Sequence, residues 1–155
     1  MRRSGDLIGR ITRNLEVAEA IGRFSPKSFP AFFRAHYEPF IEYAISEDKG
    51  ERHYVRLLVQ AQNFWENNAT KIVAKEMYVS TQRLISIAAR CFPKASGDDL
   101  RVIIYLASAA ISHLLQDQSL LTVISAGKFN AQNVDQLFDI AEAFFCSGIG
   151  KFVSR

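Results

Sequence analysis

The stretch Asp98–Leu115, DDLRVIIYLASAAISHLL, limits most what this chain can fold into. Its Leu100, Ile103, Ile104, Ala107, Ile111 and Leu114 recur at the three- and four-residue spacing of a buried helical stripe. The other side, with Val102, Leu106, Ala109, Ala110 and His113, is hardly more polar. A helix apolar nearly all round has to bury both faces, either deep in a core or between a core and a partner. The small side chains of Ala107-Ser108-Ala109-Ala110 let another helix approach closely. Arg101, Ser108, Ser112 and His113 interrupt a run that is in any case too short to span a bilayer. The expectation is a helix that packs on its own core with one side and on a second subunit with the other.

The rest of the composition agrees with one ordinary domain over residues 1–155, long enough to bury roughly two-thirds of its unfolded surface. With 48% hydrophobic and 23% charged residues it is not a disordered chain. A net charge of +3 is too small to imply nucleic-acid binding by itself. Cys91 and Cys146 lie far apart without a pairing motif, which fits a reducing cytoplasm better than a disulfide scaffold. The start, MRRSGDLIGRITRN, has the charge of a signal peptide but no continuous apolar segment behind it. A cytoplasmic protein is expected, with no membrane contact.

Other helices are legible around that central one. Asp6 to about Gly22 carries Leu7, Ile8, Ile11, Leu15, Ala18 and Ile21, with Asp6 as a start signal, Gly22 as a stop, and arginines 2, 3, 10 and 13 on a solvated face. After the connector FSPKSFP, in which Ser28 is a candidate cap, a second helix from about Phe29 to Ser46 places Phe29, Phe32, Phe33, His36, Tyr37, Phe40 and Ile41 on one broad face. Pro39 in its middle predicts a kink or a break, which either opens a cavity or bends round a filled core. The turn SEDKGE offers Gly50 for a left-handed residue, and a third helix, about Glu51–Asn67, carries Tyr54, Leu57, Leu58, Ala61, Phe64 and Trp65 as a stripe. A fourth, about Ala69–Phe92, turns Val73, Met77, Thr81, Leu84, Ile85 and Ala88 one way, with Pro93 closing it. Ser96, three residues before Asp99, makes a capping-box-like start for the Asp98–Leu115 helix. Leu120, Leu121, Val123 and Ile124 suit a short strand or a helical turn equally. The last helix, about Ala131–Ser147, holds Val134, Leu137, Phe138, Ala141, Phe144 and Phe145 on one face, with Gly148 as its stop. The fold class is all-α, a bundle of about six helices.

Catalytic and metal-binding patterns find little support. His36, His53 and His113 stand in separate helices without ligand spacing, so no metal and no cofactor is expected. Cys91 and His113 could meet as nucleophile and base, and His36 or His113 could serve a small helical enzyme, but no motif marks either. Asp98 and Asp99 are accounted for by the partial positive charge of a helix start. Tyr37, Phe40, Gln60, Phe64, Trp65, Met77, Gln82 and Tyr105 are the candidates for a small-molecule site: rings with a few polar atoms among them, which either converge on a pocket or fill the core.

Several phrases, in order, resemble the C-terminal regulatory domain of the tetracycline-repressor (TetR) family of bacterial transcription regulators. They are AFFRAHYEPFIEYAI, GERHYVRLLVQAQ, the helix ending in AARCFP, SGDDLRVIIYLASAAISHLL and VDQLFDIAEAFFCSGI, together nearly the whole chain. The resemblance implies a homodimer built on the last two long helices, with Leu106, Ala109, Ala110, His113, Leu137, Ala141, Phe144 and Phe145 at the interface. It also implies a pocket for a small hydrophobic effector among the preceding helices and no enzymatic activity. A dimer or partner-interaction module without a ligand is the rival expectation. Family members begin with a three-helix DNA-binding unit containing a helix-turn-helix. Only one predicted helix precedes the regulatory part here, so DNA binding is expected only through such a unit outside this sequence. The chain is then either a fragment or a regulator that lost its DNA-reading part.

Overall fold

The apolar stripes become helices in a computed structural model that describes residues 2–62, 68–116, 119–129 and 133–153. Seven helices form among the described residues, and no strand: α1 (Arg2–Ile21), α2 (Phe29–Ile45), α3 (Lys49–Gln62), α4 (Asn68–Cys91), α5 (Gly97–Gln116), α6 (Ser119–Ile124) and α7 (Val134–Val153). Leu120–Ile124, which suited strand or helix equally, is the helical α6. Its end is closed by Gly127, whose N–H reaches the Thr122 carbonyl at 2.8 Å with a left-handed φ of 79°, a conformation free of strain only without a Cβ. Among the described residues no helix is long and apolar enough to cross a membrane.

The aromatic helix α2 is the hub. Phe29, Phe32, Phe33, His36, Tyr37, Phe40 and Ile41 are all buried, and α1, α3, α4 and α7 pack against it. Phe33 lies at the centre, in ring contact with Phe29, Tyr37, Phe138 and Phe145. Pro39 does not break the helix, which runs uninterrupted from Phe29 to Ile45. The proline removes one backbone donor, but the rings on both sides of it are buried, and that burial holds the segment helical. Ser28 is spent on its own connector rather than on capping α2. Its hydroxyl accepts the Ser25 N–H at 3.0 Å and contacts the Ser25 carbonyl at 2.9 Å.

Helix α1 lays Leu7, Ile11 and Leu15 into the core against α2 and α4. Ion pairs flank that seam: Arg10 with Glu42 at 2.8 Å, and Arg83 with Glu16 and Glu19. The helix starts at Arg2 rather than Asp6 and stops before Gly22. A Cβ on Gly22 would lie 2.8 Å from the Ala18 carbonyl oxygen and 3.1 Å from the Phe32 ring, so the approach of connector to α2 requires the glycine.

Three local expectations are corrected. Gly50 is not a left-handed turn residue but lies in the first turn of α3, where its N–H donates to Oδ1 of the capping residue Asp48 at 2.6 Å. The buried positions of α3 are Val55, Leu58 and Val59, while Leu57 is 48% exposed, so the helix is turned away from the expected stripe. Gly148 does not end α7, which continues to Val153 because Ile149, beyond the glycine, is buried in the core. The start of α5 follows expectation, with Ser96 Oγ accepting the Asp98 and Asp99 N–H groups at 3.2 and 3.4 Å.

Candidate functional site

Helix α5 places Leu100, Ile104, Ala107, Ile111 and Leu115 in the core. It also forms one long wall of a cavity of about 650 Å³, from Arg101 to Gln116. At 1.5 Å per residue that wall extends over roughly 22 Å. The other walls are His36, Tyr37 and Phe40 of α2, Leu58 and Val59 of α3, and Met77, Tyr78, Thr81, Gln82 and Ile85 of α4. The volume is in the range of small-molecule sites, and the lining is mostly apolar with a few convergent polar groups, the constitution such sites share.

The polar groups differ in how they are satisfied. Tyr37 projects from α2 onto α5, where its hydroxyl lies 2.7 Å from Ser108 Oγ and 3.5 Å from the Ile104 carbonyl. Ser108 in turn donates to that carbonyl at 2.9 Å. Burial holds the Tyr37 hydroxyl well above the usual phenol range, so it stays protonated. His36 is 2% exposed, and its Nδ1 has no hydrogen-bond partner. Its ring stands at 90° to the Tyr37 ring at 4.6 Å, with the Phe40 ring 6.2 Å away. Burial alone pushes its pKa down to about 4, and the imidazole is neutral at physiological pH.

Of the residues expected at a ligand site, Tyr37, Phe40, Met77, Gln82 and Tyr105 are brought together on this cavity. Gln60 is exposed on α3 and is not among the described lining residues, a consequence of the rotated phase of that helix. Phe64 and Trp65 lie outside the described residues. Among the described lining residues His36 carries the one buried unpaired nitrogen, whereas the sequence offers it as a core ring or as a group of a small helical enzyme, not as a ligand contact. The signal was there: an ionisable residue inside an otherwise aromatic stripe. Cys91 and His113 are in different surroundings. Cys91 is buried at the α1–α2 connector beside Ser25 and Ser28, where burial raises its thiol pKa, the opposite of an activated nucleophile. His113 is exposed at the cavity rim.

The second face of α5 points outward. Val102, Tyr105 and Leu106 are 57%, 70% and 52% exposed, and Ala109, Ala110 and His113 are exposed beside them. Helix α7 packs on α5 and adds Ile140 and Phe144, the latter 72% exposed. Leu137, Ala141 and Phe145 of α7 are half-buried, and Phe145 packs inward on the core as well. On the α2 side, α7 is anchored by Arg34, which reaches Asp139 at 2.6 Å and Glu142 at 2.7 Å and lies over the Phe138 ring.

The family described as Tetracyclin repressor-like, C-terminal domain, matches residues 34–148, which run from within α2 through most of α7. Comparison with curated proteins and with solved structures gives no match. With most of the hub helix, the described cavity walls and the two-faced α5 inside the matched span, the chain belongs to the tetracyclin repressor-like C-terminal domain family.

Proposed function

We propose that this domain senses an effector and dimerises as the regulatory part of a TetR-like transcription regulator, taking a small, largely apolar molecule between α2, α3, α4 and α5. The observation that carries this reading is the cavity of about 650 Å³, with its apolar lining and few polar atoms. Tyr37, Phe40, Met77, Gln82 and Tyr105 are its proposed contacts. The exposed face of α5 and α7 is the proposed seat of a second copy, through Leu106, Ala109, Ala110, His113 and Phe144, with Leu137, Ala141 and Phe145 at its inner margin. Contiguous apolar surface of this kind on two packed helices is typical of an interaction site.

Sensing then follows from the shared helix. An occupant that touches Ile104, Tyr105 and Ser108 presses on the helix that also carries the proposed partner seat, with Ala109 and His113 shared by the two. A ligand with different affinities for two packings of α5 against its neighbours shifts the population between them. Where a DNA-reading head is attached to each subunit, that shift alters the separation of the two heads.

The test has two arms. Light scattering of the purified chain is expected to give a dimer mass, and Ala110→Asp, which puts a charge on each side of the two-fold contact, is expected to weaken association at least about tenfold. A screen of small hydrophobic compounds is expected to yield some that raise the melting temperature, since a ligand at a hundred times its Kd adds about 2.7 kcal/mol. A chain that is monomeric and also unmoved by every compound sinks the reading. A dimer that no compound stabilises leaves a ligand-free interaction module instead.

A further inference from the structure

We infer that the cavity selects an uncharged, largely apolar molecule bearing a hydroxyl group, and that His36 recognises that hydroxyl. The inference rests on the proposed reading of the cavity as the effector site and names the chemistry the site takes. It starts from a buried polar atom left without a partner. Native chains satisfy nearly all such atoms, and one that stays open in the wall of a cavity is a place where a ligand completes the hydrogen bonding. Nδ1 of His36 is an enclosed atom without a partner, and it belongs to a side chain that is 2% exposed and stands among the residues lining the cavity. Its ring neighbours, Tyr37 and Phe40, present aromatic faces and edges. Two hydroxyls of the site are already committed, Tyr37 to Ser108 and Ser108 to the Ile104 carbonyl.

The charge pattern narrows the ligand. Among the described lining residues there is no carboxylate, so a cationic ligand would be buried without a counter-ion. Among the described lining residues Arg101 is the one fixed positive charge, and it stands largely exposed at one end of the α5 wall, paired with Asp98 at 2.8 Å. An anion placed at His36 would therefore meet a neutral ring in an apolar setting. A hydroxyl fits where both ions do not: it donates and accepts, so it pairs with Nδ1 whichever ring nitrogen carries the proton. The Phe40, Leu58, Met77, Ile85 and Ile111 side chains accommodate the apolar body.

Titration calorimetry of the full chain with 4-butylphenol, butylbenzene and 4-butylbenzoate tests this. The phenol is expected to bind about tenfold or more tighter than butylbenzene, the gain from satisfying one buried group, with the benzoate weakest. His36→Leu is expected to bring phenol and butylbenzene to parity. His36→Asn, whose amide replaces Nδ1 at the same distance from the backbone, is expected to keep part of the preference, whereas His36→Gln loses it. That pair decides the matter if the leucine variant does not fold. Equal binding of phenol and butylbenzene by the unaltered chain, or a preference that survives both His36→Leu and His36→Gln, overturns the role of His36 while leaving the cavity as a binding site. If none of the three compounds binds, the cavity reading itself fails, and this inference with it.

Discussion

Phe33→Ala is expected to lower folding stability by about 4 kcal/mol, near the upper end of what large-to-small core changes do. Phe33 is 1% exposed and meets four rings, Phe29, Tyr37, Phe138 and Phe145, from both α2 and α7. The closest, Tyr37 at 4.6 Å, is also the residue that joins α2 to α5 through Ser108. Removing the Phe33 ring therefore loses its own burial and leaves a void that four aromatic neighbours, held by two separate helices, cannot all move to fill. In a chain of this length the loss corresponds to a fall in melting temperature of roughly 8–16 °C. Urea unfolding followed by circular dichroism measures it, with Ile21→Ala as the reference, since Ile21 is 82% exposed and its truncation is expected to stay within about 0.5 kcal/mol. A loss below about 1.5 kcal/mol for Phe33→Ala would mean that α2 and α7 do not share one packed core. It would also undercut the transmission of a change at the cavity to the face of α7.

What the sequence made legible follows from how one-sided each helix is. In α2 the buried positions are aromatic and their opposite face is charged, with Arg34, Glu38 and Glu42, so only one phase of the helix buries rings and exposes charge. In α5 both faces are apolar. The pattern indicates that both need cover, and the structure assigns the inner one to Leu100, Ile104, Ala107, Ile111 and Leu115. Helix α3 is less one-sided, because Tyr54, Val55, Leu57, Leu58 and Val59 are apolar with only Arg56 among them. Two phases a fraction of a turn apart then bury similar area, and packing against α2, α4 and α5 decides between them. Gln60 moved out of the candidate site for that reason alone. Helix α7 runs past Gly148 because glycine costs a helix about 1 kcal/mol, less than the burial of one isoleucine returns, and Ile149 is that isoleucine. Gly50 suggested a turn on composition, but the neighbouring Asp48 supplies a cap that lets the helix begin before it. Residue types alone are silent on which polar atoms lack partners, since that depends on three or four elements meeting, and so the role of His36 emerges only from the assembled cavity.

The same histidine makes acid stability a direct probe of that assembly. The ordinary imidazole pKa of 6.5 is retained in the unfolded chain, while in the folded one burial lowers it to about 4, with no charged neighbour contributing. Between those values the unfolded chain takes up a proton that the folded chain refuses, so stability falls as the pH drops from about 6.5 towards 4 and is fully present above that window. The gap corresponds to about 3 kcal/mol by the bottom of the window, and below about pH 4 both states are protonated and this contribution no longer changes. Glu142 acts in the opposite sense. Burial raises its carboxyl above the usual range in spite of the Arg34 guanidinium, so the folded chain binds that proton first and gains stability on acidification. The two must be separated by comparing variants rather than by reading one curve. Urea unfolding of the unaltered chain and of His36→Asn at pH 7.5 and pH 4.5 is expected to show a loss in the former that exceeds the loss in the latter by about 2–3 kcal/mol. Equal losses in the two would mean that His36 is hydrated or partnered in solution, and the unpaired nitrogen that defines the hydroxyl subsite would then not exist. A 4-butylphenol molecule bound at Nδ1 adds a hydrogen bond to the neutral ring, which widens the gap further. The acid loss of the unaltered chain is therefore expected to begin at the same pH but to deepen and extend to lower pH when that probe is present, and to keep its size when butylbenzene is added instead.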